Sequence, residues 1–435
     1  MNLAPEPAIT SMGISFRVYS DEADDGQDRM WPLDFIPRLI RQTEWQQVEK
    51  GLKQRVKALN MFIEDCYNKQ NFLNESDMDK NLVLDSPAYK QYCVDRKLKH
   101  NTWSHICGSD LIKAQDGKFY VLEDNLRVPS GVSYMLENRM IMKRVFPELF
   151  YQYGVTPIDA YPTKLYETLA SVSYSRSKHP EIVLLTPGIF NSAYYEHSFL
   201  AQQMGIDLVE GRDLIIGKEG YVYKKTIEGL VKVDVIYRRI DDDYLDPDQG
   251  NPNSAIGVKG LIRAWQQKKV AIVNSPGCGI ADDKAIYSYV PKMIKYFLNE
   301  EPIIRNIKTF LLTNKEHRDH VFNNFKDMVI KPVAESGGYG IVIGKNCSRS
   351  EKESTIRKIM NNPRNFVAQP LISLSTTPTY SGDNLEPRHL DLRPFILSGE
   401  KHYVTVGGLT RVALKKGSTV VNSSQGGGSK DTWIV

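Results

Sequence analysis

The stretch Phe119-Tyr120-Val121-Leu122-Glu123-Asp124-Asn125, followed by Leu126-Arg127-Val128-Pro129-Ser130-Gly131, decides how this chain is read. Its apolar lead-in follows a turn at Asp116-Gly117 and predicts a short strand. Side chains alternate on a strand, so Glu123 and Asn125 project from one face. A carboxylate and an amide oxygen together are hard ligands, suited to a Mg2+ ion that also keeps waters and substrate phosphates. Asp110, in Cys107-Gly108-Ser109-Asp110-Leu111, lies across the turn, where an antiparallel neighbour would bring it beside Glu123. Three oxygen ligands without His or Cys disfavour zinc. Arg127 and the loop after it offer a guanidinium and a flexible turn for a phosphate or acyl group. An isolated Glu-Asp-Asn is more commonly a solvated strand end; the apolar lead-in and the trailing Arg127 favour the ligand reading.

Working outward, Val329-Ile330-Lys331-Pro332 places a lysine late in an apolar strand, and an unpaired buried ammonium is costly. An anion beyond the strand end resolves the anomaly. The turn that follows, Ser336-Gly337-Gly338-Tyr339-Gly340, lets backbone N–H groups approach phosphate oxygens. The order is lysine first and glycines second, the reverse of a Walker A loop. A strand-edge lysine beside an ordinary turn is the plainer alternative. Lys284, after Asp282-Asp283 at a predicted helix start, suits the positive helix end badly unless a phosphate sits there.

Between these segments the pattern alternates. A helical period over 44–70 sets Val48, Leu52, Val56, Leu59, Phe62 and Ile63 on one face. Strands are predicted at 182–185, 206–209, 233–237 and 270–273, with helices at 196–204, 261–268 and 282–298, giving an α/β layer of parallel strands. From 327 onward short strands separated by glycines predict a mostly antiparallel sheet. Residues 1–30, with the acidic run Asp21-Glu22-Ala23-Asp24-Asp25, read as an irregular arm. Arg238-Arg239-Ile240-Asp241-Asp242-Asp243 stands at the carboxyl end of a parallel strand, where open α/β sheets bind ligands, or else is a self-paired surface cluster. His197 is either a helix-cap or a core histidine. Asp391-Leu392-Arg393 is predicted to open a strand. The run from Asn422 ends on Trp433-Ile434-Val435, so it reads as folded back rather than as a loose tail.

Composition sets the outer bounds. At 435 residues two or three lobes are expected. Hydrophobic residues at 41% and charged residues at 25% are globular values, and a formal charge of +4 gives no global pull toward nucleic acid. No stretch reaches the roughly 20 apolar residues of a membrane helix, and the N-terminus lacks a signal-peptide pattern. Cys66, Cys93, Cys107, Cys278 and Cys347 are scattered without a C-x-x-C pair. A cytoplasmic setting is expected, with inert thiols.

Taken together, Lys284, Lys331 with its glycine turn, Gln369-Pro370, Asp391/Arg393 and the Glu123/Asn125 strand resemble an ATP-grasp enzyme. In that group the metal strand usually follows the lysines; here it precedes Lys331, which resembles the circularly permuted ATP-grasp type 2 family, similar to glutathionylspermidine synthase. The resemblance runs over almost the whole chain, through Pro32-Leu33-Asp34-Phe35-Ile36-Pro37-Arg38 and residues 122–131, 185–197, 237–246, 281–284 and 422–433.

It implies ATP and Mg2+, with metal ligation by Glu123, Asn125 and Asp110, and phosphate contacts from Lys284, Lys331, Ser336, Gly337, Gly338, Tyr339 and Gly340. It implies adenine-side contacts near Gln369, Pro370 and Leu371. Where that synthase has an arginine two residues before the first metal aspartate, this chain has Gly108, and Arg127 is the substitute. Arg238, Arg239 or Arg393 is the expected clamp on a substrate carboxylate. The implied fold is α/β: an N-terminal arm over 1–30, a helical segment plus metal strands over 31–165, a Rossmann-like substrate lobe over 166–305 and a nucleotide-binding lobe over 306–435. The implied activity joins a carboxylate to an amine through an acyl phosphate, on small-molecule or peptide substrates. A phosphotransferase and a non-catalytic ATP-binding partner are the alternatives, and a homodimer is the default assembly.

Overall fold

The computed structural model describes residues 15–20, 23–333, 340–372, 374–381, 384–414, 417, 421 and 427–435, with 15–20, 23–30 and 381 described by backbone alone. Phe119–Asn125 and Ile106–Lys113 form the antiparallel pair expected across the Asp116-Gly117 turn, at the heart of a ten-stranded sheet. Along its main path the order is Arg305–Asn306, Phe119–Asn125, Ile106–Lys113, Asn384–Arg393, Leu409–Val412, Gly428–Ile434 and Leu33–Ile40. The long helix Gln42–Tyr67 buries Val48, Leu52, Val56, Leu59, Phe62 and Ile63, the face the periodicity predicts. Each such side chain contributes roughly 1.5–3 kcal/mol by leaving water. Gly51 is needed within this helix: a Cβ there would meet Ile304 Cγ1 at 2.5 Å, so the helix presses on the segment entering the sheet's edge strand.

A second sheet orders Ala271–Val273, Val235–Arg238, Ile182–Leu185 and Asp207–Val209, all parallel. Every residue of Ile182–Leu185 is buried, as a parallel strand covered on both faces requires. The flanking helix Tyr194–Met204 stops where Gly205 takes φ +67°, a left-handed cap that glycine adopts without strain. After Asn306 the chain leaves the large sheet and at Phe310 enters a four-stranded antiparallel one, ordered Phe310–Leu311, Phe366–Pro370, Met328–Pro332 and Val342–Ile343.

Four expectations need correction. Residues 15–20 and 23–30 are not irregular, because Ser15–Ser20 and Ala23–Met30 form an antiparallel ladder. The single helix expected over 282–298 is broken into Lys284–Tyr287 and Val290–Leu298; Pro291 has no N–H to donate back to the preceding turn. Asp391-Leu392-Arg393 closes the strand Asn384–Arg393 rather than opening one. The region after 310 also holds two helices, Lys315–Asn323 and Arg349–Asn361, which pack Val321 and Ile359 onto the antiparallel sheet. The second starts at a capping box of Ser348 and Glu351, a signal present in the sequence.

The C-terminal segment is folded back: Gly428–Ile434 runs between Leu409–Val412 and Leu33–Ile40, with Trp433 buried. Buried ion pairs Lys430–Asp34 at 2.5 Å and Arg139–Asp431 at 2.8 Å fix it there. No helix among the described residues is long and apolar enough to cross a membrane.

Candidate active site

Strand register assembles the site. Asp110 pairs directly with Glu123, and Gly108 with Asn125. Alternation then separates the three acidic-strand residues. Asp124 points inward to Arg55, at 2.6 Å, and to Ser109 Oγ, which donates to it at 2.8 Å. Glu123 and Asn125 face the other way. Asn125 Nδ2 donates to Gly108 O at 3.1 Å, which leaves its amide oxygen directed outward.

Asp110 is held by two guanidiniums. Arg393 donates to both its oxygens, at 2.5 and 2.7 Å, and Arg411 reaches Oδ2 at 2.7 Å while also pairing with Asp391. The ladders explain the meeting: Leu392 sits opposite Leu111, and Asp391 opposite Arg411. Burial would raise the Asp110 carboxyl, but Arg393 and Arg411 prevail and hold it below the usual carboxylate range. Glu123 is shifted the other way. Burial and the Asp110 charge push it up, against the pull of Lys284, Lys331 and Arg393.

Three cations from three elements converge on Glu123. Lys284 Nζ, from the short helix after Asp283, lies 3.8 Å from it, and Arg393 lies 3.9 Å away. Lys331 arrives from the antiparallel sheet. It is buried, at 7% exposure, and burial together with Lys284 pushes its ammonium down to about 8 despite Glu123 and Asp110. Lys331 pairs with Val367 and Val329 with Gln369, so Lys331 and Gln369 share a sheet face. Gln369 is itself tethered, donating to Thr309 Oγ1 at 3.0 Å. Pro370 pairs with Met328, and Leu371 N donates to Asp327 O at 2.7 Å, so both continue that strand's edge. Ser336, Gly337, Gly338 and Tyr339 lie outside the described residues, and Gly340 follows them with φ +69°.

The remaining expected arginines lie elsewhere. Arg127 pairs with Asp282 at 2.7 Å and Asp241 at 3.0 Å, so it ties the end of the Glu123 strand to the parallel layer. Arg238 is fully buried. It pairs with Asp242 at 2.7 Å and donates to the carbonyls of Asn274 and Ile240 at 2.7 Å each. Arg239 donates to Pro129 O, Tyr237 Oη and Ser130 Oγ and pairs with Glu196, whose other oxygen accepts from the Gly131 and Ser133 amides. Arg238, Arg239 and Asp242 are therefore buried while Asp243 is exposed, and in this structure the two arginines brace loops. His197 is a core histidine, 2.9 Å from Thr186 Oγ1 and pushed down to about 2 by burial and by Arg239.

Sequence reasoning missed two residues here. Arg411 was passed over beside its glycines. Asn274 accepts from the His105 and Ile106 amides and donates to the carbonyls of Ile106, Leu126 and Arg127, binding the Asp110 and Glu123 strands to the parallel layer. Nothing in periodicity marks either, because their partners are distant in sequence.

The donor set fits a hard divalent ion in part. Glu123 and Asn125 offer outward oxygens, whereas both Asp110 oxygens are already taken by arginine. Among the described residues no three His, Cys, Asp or Glu side chains are grouped to hold a metal by themselves. That matches a magnesium ion sharing two protein oxygens with a nucleotide better than it matches an all-protein cage.

A family model described as circularly permuted ATP-grasp type 2 matches residues 37–413. The chain is 50% identical over 429 residues to an uncharacterized protein of Synechocystis, covering 98% of this chain and 89% of that protein. It is 39% identical over 425 residues to a Frankia casuarinae protein named "Putative glutamate--cysteine ligase 2-2", covering 97% of this chain but 48% of that one. Among solved structures, a glutathione synthetase-like effector of Globodera pallida superposes with a TM-score of 0.61 at 13% identity, covering 100% of this chain and 96% of that one. At that identity the likeness concerns the fold.

Proposed function

The chain belongs to the circularly permuted ATP-grasp type 2 family, whose members bind ATP, and from that premise we propose that it is an ATP-dependent carboxylate–amine ligase. One observation carries the reading. Arg393, Arg411, Lys284 and Lys331 gather about Glu123, Asp110 and Asp391, four cations to three carboxylates among the described residues, two of the cations meeting Glu123 from outside its own sheet. A surplus of partly desolvated positive charge beside two outward oxygen ligands suits a magnesium triphosphate.

In this reading a substrate carboxylate oxygen attacks the γ-phosphorus of ATP, the bond to the β–γ bridging oxygen breaks, and ADP leaves an acyl phosphate. An amine nitrogen then attacks the acyl carbon, phosphate departs with the C–O electron pair, and the amine proton passes to solvent. Lys331 and Lys284 neutralise phosphate charge, and charge placed in advance where it develops is the main catalytic lever for phosphoryl transfer. Arg393, fixed by Asp110 yet within 3.9 Å of Glu123, replaces Arg238 and Arg239 as the arginine nearest the reacting groups. Glu123 and Asn125 are the residues to hold Mg2+, which would supply further neutralisation of the triphosphate. Gln369, Pro370 and Leu371, on the strand beside Lys331, are the candidates to line the adenine.

The domain reading follows the same division: metal strands in 31–165, a Rossmann-like substrate lobe in 166–305 and a nucleotide lobe in 306–435, in a cytoplasm that supplies ATP. The Frankia name supports testing glutamate and cysteine early, although that protein's remaining half could carry the named activity. The test is ATP turnover by wild type and Glu123→Ala across amino acids, small peptides and polyamines. Amine-dependent phosphate release that vanishes in Glu123→Ala is expected. Equal background rates in both would sink the catalytic reading, and a stable phosphorylated product without an amine would make the protein a phosphotransferase.

A further inference from the structure

A second cavity lies at the opposite end of the parallel sheet. It measures about 320 Å3, within the range of small-molecule sites. Tyr174 belongs to the connection leading into Ile182–Leu185, and Lys268 to the turn leading into Ala271–Val273. Both therefore sit at the amino ends of parallel strands, whereas Arg238 and Asn274 mark the carboxyl ends that face the Glu123 strand. No lining residue is shared with the Glu123–Lys331 cluster.

The lining is not neutral. Arg96, Lys97 and Lys268 stand against the single carboxylate of Asp95, and Tyr174 with Trp265 supplies aromatic surface. Lys268 Nζ lies 5.9 Å from the Tyr174 ring centroid, so cation and ring border the same opening. Trp265 is nearly buried and braced edge-on by Trp103, which makes it a fixed wall.

One desolvated polar atom is unanswered there. Arg96 Nε is buried without a hydrogen-bond partner among the described residues. A neighbouring pocket of about 10 Å3, lined by His105 and sharing Leu98, Tyr174 and Trp265 with the cavity, has room for one water. His105 itself is 3% exposed, and its ring is already hydrogen-bonded to the Trp103 backbone. Buried polar atoms are almost always satisfied, so the Arg96 Nε on the cavity wall points to a polar group that enters it.

We propose that this cavity is a ligand site for a small anion carried on a flat aromatic body, an aryl phosphate or aryl carboxylate. The head meets Arg96, with Lys97 and Lys268 at the mouth, and the ring lies against Trp265 and Tyr174. The site is independent of the nucleotide cluster and would take such a compound whether or not the ligase reading holds.

Calorimetric titration of the full chain with phenyl phosphate, and with inorganic phosphate beside it, tests the assignment. Phenyl phosphate is expected to bind at least tenfold more tightly than inorganic phosphate. Arg96→Gln should weaken it about tenfold, and the exposed pair Lys97→Gln with Lys268→Gln, which removes no buried contact, should weaken it severalfold. Lys331→Met should leave it unchanged. The proposal is overturned if phenyl phosphate gives no binding, if it binds no better than inorganic phosphate, if neither set of variants changes its affinity, or if Lys331→Met abolishes it, which would return the binding to the nucleotide cluster.

Discussion

Two arginine clusters lie behind strand ends in this molecule, and they do opposite things. Behind the parallel sheet, Arg127, Arg238 and Arg239 meet Asp241, Asp282, Asp242 and Glu196, so carboxylates outnumber cations, and the buried arginines also spend donors on backbone carbonyls. On the ten-stranded sheet, Arg393, Arg411, Lys284 and Lys331 gather about Asp110, Asp391 and Glu123 among the described residues, and Glu123 stays 26% exposed. The first cluster has carboxylates enough for its arginines, and its contacts brace loops. The second keeps positive charge and an open oxygen, which is what a polyanion with its metal requires. Residue type does not distinguish the two; the balance of charge among the described residues does.

Breaking the closed cluster should have the largest effect on stability. Arg238→Met leaves Asp242 buried without its cation, and breaking such a pair costs about 3–5 kcal/mol. Denaturant titration should show that loss while ATP turnover per folded molecule stays within a few-fold of wild type. Turnover lost in proportion to a substrate-affinity defect, with stability intact, would restore Arg238 as a clamp.

Breaking the open cluster should separate the two effects. Glu123→Ala should lower turnover about 100-fold or more, near 2.7 kcal/mol of barrier. Its stability should hardly fall, because burial and Asp110 already disfavour the charged form of Glu123. A smaller change follows for Lys331→Met, which should weaken MgATP binding about tenfold without unfolding the chain, as read by nucleotide titration. Unchanged affinity would mean that Lys331 answers Glu123 alone.

Much of this contrast was readable in the sequence at the level of strands. Glu123 and Asn125 two apart, and Asp110 across the turn at Asp116-Gly117, are local facts that strand geometry converts directly into a cluster. Lys331 was legible because an apolar strand makes a lysine conspicuous. What was not legible is long-range pairing. Arg411 meets Asp110 only because two strands far apart in the chain share the sheet, and Asn274 matters only because its amide fits between three segments. Arg238 and Arg239 looked like Arg393 in sequence, being charged residues at strand ends, and only the count of buried partners set them apart. The broken helix at Pro291 was readable and was overridden by the long apolar period around it.

The finest test of the contrast uses pH, because the open cluster should titrate near neutrality where the closed one should not. Burial and Lys284 hold the Lys331 ammonium at about 8, below the usual lysine value, whereas Arg238 is raised by its carboxylate neighbours and stays charged throughout. The sign for stability follows from proton binding. Between about pH 8 and the unfolded lysine value, the unfolded chain holds the proton that the folded chain has lost, so this group favours folding increasingly as pH rises through that window. Nucleotide binding runs the other way, since it needs the charge that is being lost. With a free-protein value near 8, MgATP affinity should fall about fourfold from pH 7 to pH 8.5 through this group alone. Lys331→Arg keeps its charge over the whole range and should flatten the profile, even where the longer side chain weakens binding overall. A wild-type profile already flat across pH 7–9, or an unaltered slope in Lys331→Arg, would show that Lys331 is not the cation the triphosphate meets.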